Sequence, residues 1–240
     1  MTIVFSGALP NLIVMTVDSA VVLDYKDSRE YETGRKSYVV SGVGNVTTWG
    51  ARDCNRIGEF LDKQNISSKT HSVEELADLV EQYLKKEYRP HELELDDVGY
   101  HVAGFDRNGN PRLYHVFWGF DRPRPVNQNA PKYEKYDHSP HRGEITYLYN
   151  GRNDLAGNVV RTLLNELSTG VGMRFDPRTP EGLVRLGDLV VRFAAEVTLE
   201  VGPPFYSYMI SQLNKAVTIE NDGIYPINPQ IISQKLKELN

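Results

Sequence analysis

The stretch that decides the fold runs from Leu12 to Tyr25 and reads LIVMTVDSAVVLDY. It holds two apolar runs, Leu12 to Val17 and Ala20 to Tyr25, on either side of the pair Asp18-Ser19. β-Branched and aromatic residues recur in both runs and favour strands, whereas Asp and Ser favour turns. We therefore predict short antiparallel strands at the start of the domain.

Further elements follow the same logic along the first half of the chain. Two more strands are predicted at Ser37 to Val43 and at Val46 to Trp49. Apolar residues then recur at helical spacing, which predicts a helix over Arg52 to Lys63. A second helix begins after Ser72, which forms a capping box with Glu75. The opening of the chain is therefore predicted to be strands followed by two helices.

The second half repeats this order of strands and then helices. The pair Asn108-Gly109 lies between two strand-like runs and predicts a hairpin, because Asn-Gly accepts the positive φ angles of a tight turn. The segment from Gly119 to Arg142 is rich in Pro, Asn, Lys and Tyr without periodicity, and we interpret it as a long surface insertion. The remaining predicted elements are a strand at Ile145 to Tyr149, helices at Asp154 to Leu167 and Pro180 to Leu199, strands at Phe205 to Ile210 and Leu213 to Ile219, and a C-terminal helix that begins at Pro229 after the cap Asn228.

This element order predicts an α+β fold. Two antiparallel sheets stacked face to face, with a pair of helices on each outer side, would bury all the apolar stripes. We therefore expect a four-layer αββα sandwich that forms one domain over residues 1–240, with residues 119–142 as a surface insertion within it.

Composition excludes several classes of protein. Hydrophobic residues make up 40% of the chain and charged residues 25%, which is typical of a globular domain. The net charge of −5 with dispersed Lys and Arg gives no broad attraction to nucleic acid or to anionic lipid. No apolar run is long enough to cross a bilayer, and the first residues lack the basic region of a signal peptide. We expect a cytoplasmic protein that binds neither nucleic acid nor membrane.

Four short motifs point to one family. They are the run Ala20 to Arg29 with its acidic residue followed by arginine, Gly34-Arg35-Lys36, Trp49-Gly50-Ala51-Arg52-Asp53 and Val102-Ala103-Gly104-Phe105-Asp106. Together with the element order, they resemble the proteasome-type N-terminal-nucleophile hydrolases, and proteasome β subunits in particular. The resemblance implies the sandwich fold described above.

The resemblance also implies a mechanism. Members of this family use a threonine at the mature N-terminus, whose α-amine serves as the base for its own hydroxyl. Removal of Met1 would leave Thr2 in that place. Lys36 would then stabilise the deprotonated nucleophile, and Asp27 would hold the lysine. The implied activity is hydrolysis of a peptide or other amide bond by Thr2, Asp27 and Lys36, without a cofactor.

A second hypothesis remains open on the same fold. The chain would be a catalytically inactive subunit that acts in assembly or as a scaffold. Proteins of this family commonly pair through their helices and build rings, so the resemblance implies a homo-oligomer under either hypothesis.

Histidine and cysteine residues offer weaker candidate sites. His138 and His141, with Asp137 before them and Glu144 after them, have a spacing that zinc ligands also show. Because they lie in a Pro-rich loop, we favour a solvated loop and predict no metal. Cys54 is the single cysteine, which excludes an internal disulfide. His101 and His115 face each other across the predicted hairpin, and we interpret both as structural.

Overall fold

The structure is a computed structural model of the whole chain. It describes residues 3–24, 29–50, 54–86, 98–119, 132–141, 143–151, 157–158, 161–162, 175–198 and 201–239. All statements below concern these residues.

The first sheet contains the first and the last strand of the described chain, and all its strands are antiparallel. Its five strands lie in the order β10-β1-β2-β11-β12. They are β1 (Val4–Leu9), β2 (Leu12–Val17), β10 (Thr146–Asn150), β11 (Phe205–Ser211) and β12 (Ala216–Asn221). Every residue of β1 and of β2 is buried, which explains why their apolar residues run on without alternation.

The second sheet is also antiparallel, and its five strands follow the order of the chain. They are β5 (Ser37–Val40), β6 (Gly44–Trp49), β7 (Val98–Phe105), β8 (Pro111–Gly119) and β9 (Lys132–Asp137). The hairpin of β7 and β8 confirms the prediction made from Asn108-Gly109, and Gly109 has the expected positive φ of 74°. β9 lies within the segment 119–142, and it pairs with β8 along its whole length.

Two strands stay outside both large sheets. β3 (Ala20–Asp24) and β4 (Arg29–Thr33) pair only with each other among the described residues. The prediction of a strand from Ala20 is therefore confirmed, but its partner is the polar segment REYET, which sequence patterning did not select as a strand.

Four helices lie among the described residues. They are α1 (Cys54–Asp62), α2 (Val73–Lys86), α3 (Pro180–Val197) and α4 (Pro229–Leu239). The capping box before α2 is confirmed, because Ser72 N donates to Glu75 Oε2 and Glu75 N donates back to Ser72 Oγ. Thr179 caps α3 by accepting from Gly182 N.

Three clusters of buried side chains make up the core. One lies between the first sheet and α3, with residues of α4 at its edge. A second packs α1 and α2 onto the second sheet. The third joins the two sheets through residues such as Val4, Met15, Ala103 and Leu113. Buried polar side chains, among them Ser6, His101 and His115, interrupt this third cluster.

The prediction of a four-layer αββα sandwich with a helix pair on each outer side is wrong as stated. The described residues form two five-stranded antiparallel sheets, a separate two-stranded sheet and four helices, which is an α+β fold without two clear helix pairs. The helix predicted over 154–167 lies almost wholly outside the described residues. Amphipathic patterning shows which residues are buried, but it does not show which elements pair.

Candidate functional site

A buried carboxylate lies where β2 ends and the chain enters β3. Asp18 is fully buried, and its Oδ1 accepts a hydrogen bond from Ile3 N, at the start of β1, at 3.0 Å. Its Oδ2 accepts from Ala20 N at 3.1 Å. The Gly202 backbone also donates a hydrogen bond to this carboxyl group. Asp18 therefore joins the beginning of β1 to the loop before β11.

The partner of this carboxylate is a lysine that is nearly as deeply buried. Lys36 retains 6% exposure, and its Nζ lies 2.8 Å from Asp18 Oδ2. The same Nζ donates to the Ala20 carbonyl. Thr48 N donates to the Lys36 carbonyl at 2.9 Å, which anchors the lysine backbone to β6. Lys36 is thus held in one position by contacts at both ends.

Burial perturbs the acidity of both groups. Burial raises the pKa of Asp18, and the attraction of Lys36 and the hydrogen bonds to the carboxylate oppose this change. Burial also lowers the pKa of Lys36, while the Asp18 carboxylate opposes it. The proton on Lys36 is therefore held less tightly than that of a lysine in water, and such shifted groups are typical of reactive sites.

The backbone around the pair is tied to neighbouring segments. Ser19 N donates to the Gly202 carbonyl at 3.2 Å, and Gly34 N donates to the Ser19 carbonyl at 2.8 Å. The Ser19 hydroxyl is buried and has no hydrogen-bond partner among the described residues. A buried polar group without a partner is uncommon in folded proteins.

The sequence analysis selected three residues, and the structure describes one of them. Lys36 lies in the site. Thr2 and Asp27 lie outside the described residues, so their roles stay predictions. The carboxylate that contacts Lys36 among the described residues is Asp18, which the sequence analysis assigned to a turn. The available signal in the sequence was the position of Asp18 directly after the mostly apolar run Leu12–Val17. A residue that follows a buried strand is often buried as well.

A row of polar side chains crosses the second sheet on the face that packs against the first sheet. Its members are paired from strand to strand: Ser37 with Thr47, Thr47 with His101, His101 with His115, and His115 with Tyr136. Burying so many polar groups in a sheet interface costs free energy unless they form hydrogen bonds. Ser37, Thr47, His101 and His115 are buried, whereas Tyr136 at the edge is 43% exposed.

Hydrogen bonds hold the two central histidines. His101 Nδ1 lies 2.8 Å from Ser6 Oγ, and His101 Nε2 lies 2.7 Å from Asn150 Oδ1. Trp49 Nε1 donates to His115 Nε2 at 3.1 Å. Burial lowers the pKa of His101 to about 3 and lowers that of His115 well below its ordinary value, so both rings are neutral at neutral pH. The sequence did not show that His101 and His115 are buried, although it did predict that they face each other across the hairpin.

The loop histidines do not form a metal site among the described residues. His138 is half-buried beside the rings of His115 and Tyr136, while His141 is exposed. No group of three or more His, Cys, Asp or Glu side chains in the described ranges is placed to hold an ion. The side chain of Cys54 lies outside the description.

Comparison with solved structures identifies similar folds. Anbu (ancestral beta-subunit) from Yersinia bercovieri has a TM-score of 0.63 and 12% identity, with 98% of this chain and 93% of that chain covered. A Gly-1 mutant of Anbu from Hyphomicrobium sp. strain MC1 has a TM-score of 0.62 and 11% identity over 99% and 94% of the two chains. The Anbu complex from Pseudomonas aeruginosa, solved as a helical assembly, has a TM-score of 0.59 and 14% identity over 98% and 91%. No protein-family model and no curated protein matches the chain.

These comparisons correct the resemblance to proteasome β subunits. The similar structures are Anbu proteins, one of them described as an ancestral beta-subunit, rather than proteasome β subunits. At 9–14% identity this likeness shows the fold alone. In the described part of the chain, no helix combines the length and the hydropathy that crossing a bilayer requires.

Proposed function

We propose that the chain hydrolyses a peptide or other amide bond with Thr2 as its nucleophile. The observation that carries this proposal is the hydrogen bond from Ile3 N to Asp18 Oδ1, because Asp18 also holds the Lys36 ammonium. A peptide bond joins Thr2 to Ile3, so their Cα atoms are about 3.8 Å apart. Ile3, the residue that follows the proposed nucleophile in the chain, therefore contacts a buried acid–base pair.

Each group has a chemical role in this proposal. Removal of Met1 makes Thr2 the first residue, and its free α-amine accepts the proton of its own hydroxyl. The oxygen then attacks the substrate carbonyl, the amine product leaves with a proton, and water hydrolyses the resulting ester. Lys36 stabilises the developing negative charge on the threonine oxygen, and Asp18 fixes the position of Lys36. Asp27 remains a prediction from the sequence for this second role.

The first experiment distinguishes turnover by Thr2 from turnover by a contaminating hydrolase. Intact mass and N-terminal sequencing determine whether Thr2 is the first residue, and a panel of fluorogenic peptide amides measures turnover. We expect Thr2→Ser to retain activity and Thr2→Ala to lose at least about 1000-fold, since the hydroxyl is the attacking group. Thr70→Ala is a matched control at an exposed threonine. Equal turnover by the wild type and Thr2→Ala, or an active protein that retains Met1, would refute the proposal.

A role in self-assembly is a second proposal that does not require catalysis. The solved Anbu complex from Pseudomonas aeruginosa forms a helical assembly. In this chain, several large hydrophobic side chains are exposed, among them Ile224 at 68% and Tyr225 at 74%. Large exposed apolar groups favour protein contacts. We expect sedimentation or light scattering to show a multiple of the 27.2 kDa chain mass, and a monomer at micromolar concentration would contradict this.

A further inference from the structure

A hydrogen-bonded chain of three side chains connects the interior of the sheet interface to the neighbourhood of the candidate site. It runs from Ser6 Oγ through the His101 ring to Asn150 Oδ1, with distances of 2.8 and 2.7 Å. The three residues come from β1, β7 and β10, so three strands and both large sheets take part. Both ring nitrogens of His101 are engaged.

The neutral state of His101 determines the direction of these hydrogen bonds. A neutral imidazole has one donor nitrogen and one acceptor nitrogen. Because Asn150 presents its Oδ1, which only accepts, His101 Nε2 is the donor. Nδ1 therefore accepts from the Ser6 hydroxyl. Burial lowers the pKa of His101 to about 3, so this single arrangement persists across the physiological pH range.

Asn150 lies next to the first residues of β1. It is the register partner of Val4, one residue from Ile3, whose N–H is bound to Asp18. Asn150 is half-buried, unlike the fully buried Ser6 and His101. Among the described residues, none accepts a hydrogen bond from Asn150 Nδ2. The oxygen of this carboxamide is thus fixed by His101, while its Nδ2 has no acceptor in the described part of the chain.

We propose that Asn150 binds a carbonyl group of the substrate through Nδ2–H and that His101 is a positioning residue that holds its carboxamide. This inference rests on the proposed amide hydrolysis. An extended peptide presents a backbone carbonyl at each residue, so a fixed donor opposite Val4, near the start of β1, selects peptide-like amides over small amides without a second carbonyl. A donor that is already oriented costs little entropy when substrate binds.

Two substitutions of Asn150 separate its donor from its acceptor. Asn150→Asp keeps an oxygen for His101 Nε2–H but removes the Nδ2 donor, and Asn150→Ala removes both. We expect both variants to raise KM about five-fold, the value of one neutral hydrogen bond, with kcat changed far less. Partial unfolding would instead lower kcat at constant KM. Asn11→Ala, at the exposed turn between β1 and β2, is the matched control.

The role of His101 is tested by a double-mutant cycle. His101→Phe releases the carboxamide, so we expect a rise in KM that is not additive with that of Asn150→Ala. If His101→Phe does not fold, the Asn150→Asp variant still decides the proposal. Wild-type KM in both Asn150 variants, while Thr2→Ala is inactive, overturns this inference alone. A wild type whose activity matches that of Thr2→Ala overturns the amide hydrolysis and this inference together.

Discussion

Acidification should destabilise this protein through its buried histidines, and His101 allows the effect to be calculated. Burial lowers the pKa of His101 from the ordinary 6.5 to about 3 in the folded protein. The unfolded chain therefore binds more protons than the folded chain between these two values, so stability falls as the pH falls through this range. The direction follows from the lowered pKa of a group that is neutral when folded.

The magnitude follows from the two pKa values. Between pH 7.5 and pH 5.0, the difference in proton binding at His101 lowers the free energy of unfolding by about 2 kcal/mol. His115 adds to this loss, because burial and its neighbour His101 also lower its pKa. The free energy of unfolding of the wild type should therefore fall by more than His101 alone accounts for.

Urea denaturation at the two pH values measures this effect. We expect His101→Gln to lose about 2 kcal/mol less than the wild type between pH 7.5 and 5.0, whatever its stability at pH 7.5. His141→Gln, which removes an exposed histidine, is the control and should follow the wild type. An unchanged pH dependence in His101→Gln would show that His101 is accessible to protons in the folded state, and the reasoning about the buried row would fail.

Three further outcomes follow from particular contacts. Asp18→Asn leaves the buried Lys36 ammonium without its counter-ion, so we expect a loss of about 3–5 kcal/mol in chemical denaturation, with part of it recovered when Lys36→Met is added. Lys235→Met removes an exposed ion pair and should leave stability unchanged; a comparable loss there would contradict the assignment of the buried pair. Gly44→Ala places a Cβ 2.4 Å from the Ala103 carbonyl oxygen of the adjacent strand and should cost about 1–3 kcal/mol, whereas Gly143→Asn, which has nothing within 4 Å of the new Cβ and must accept only a positive φ of 83°, should cost less in the same assay. Asn214→Gly keeps the positive φ but removes the two hydrogen bonds between the Asn214 carboxamide and the Phe105 backbone, so thermal unfolding should report a loss of about 2 kcal/mol, and an unchanged melting temperature would show that these bonds contribute nothing.

Local features could be predicted from the sequence because they depend on neighbouring residues. The capping box of Ser72 and Glu75 and the Asn108-Gly109 hairpin are confirmed for this reason. The start of the C-terminal helix at Pro229 is also confirmed, and Asn228 Oδ1 accepts from Gln230 N as a cap does. Each of these signals lies within a few residues of the structure it specifies.

Pairing between distant segments could not be predicted in the same way. The segment Arg29–Thr33 is polar, and its composition does not indicate that it pairs with β3. The 119–142 segment was interpreted as irregular, although Lys132–Asp137 adds an edge strand to the second sheet. Edge strands bury only one face or less, so their composition resembles that of a loop.

The candidate site shows the same division. Lys36 was identified from the sequence, together with Thr2 and Asp27, whereas the contact of Lys36 with Asp18 came from the structure. The sequence by itself determined the capping box before α2, the β7–β8 hairpin, the start of the C-terminal helix and the choice of Lys36 as a candidate residue. Only the tertiary structure decided that Asp18 is buried beside Ile3, and that Ser6 meets His101 across 95 residues, because burial and hydrogen bonding at such distances depend on how two sheets stack.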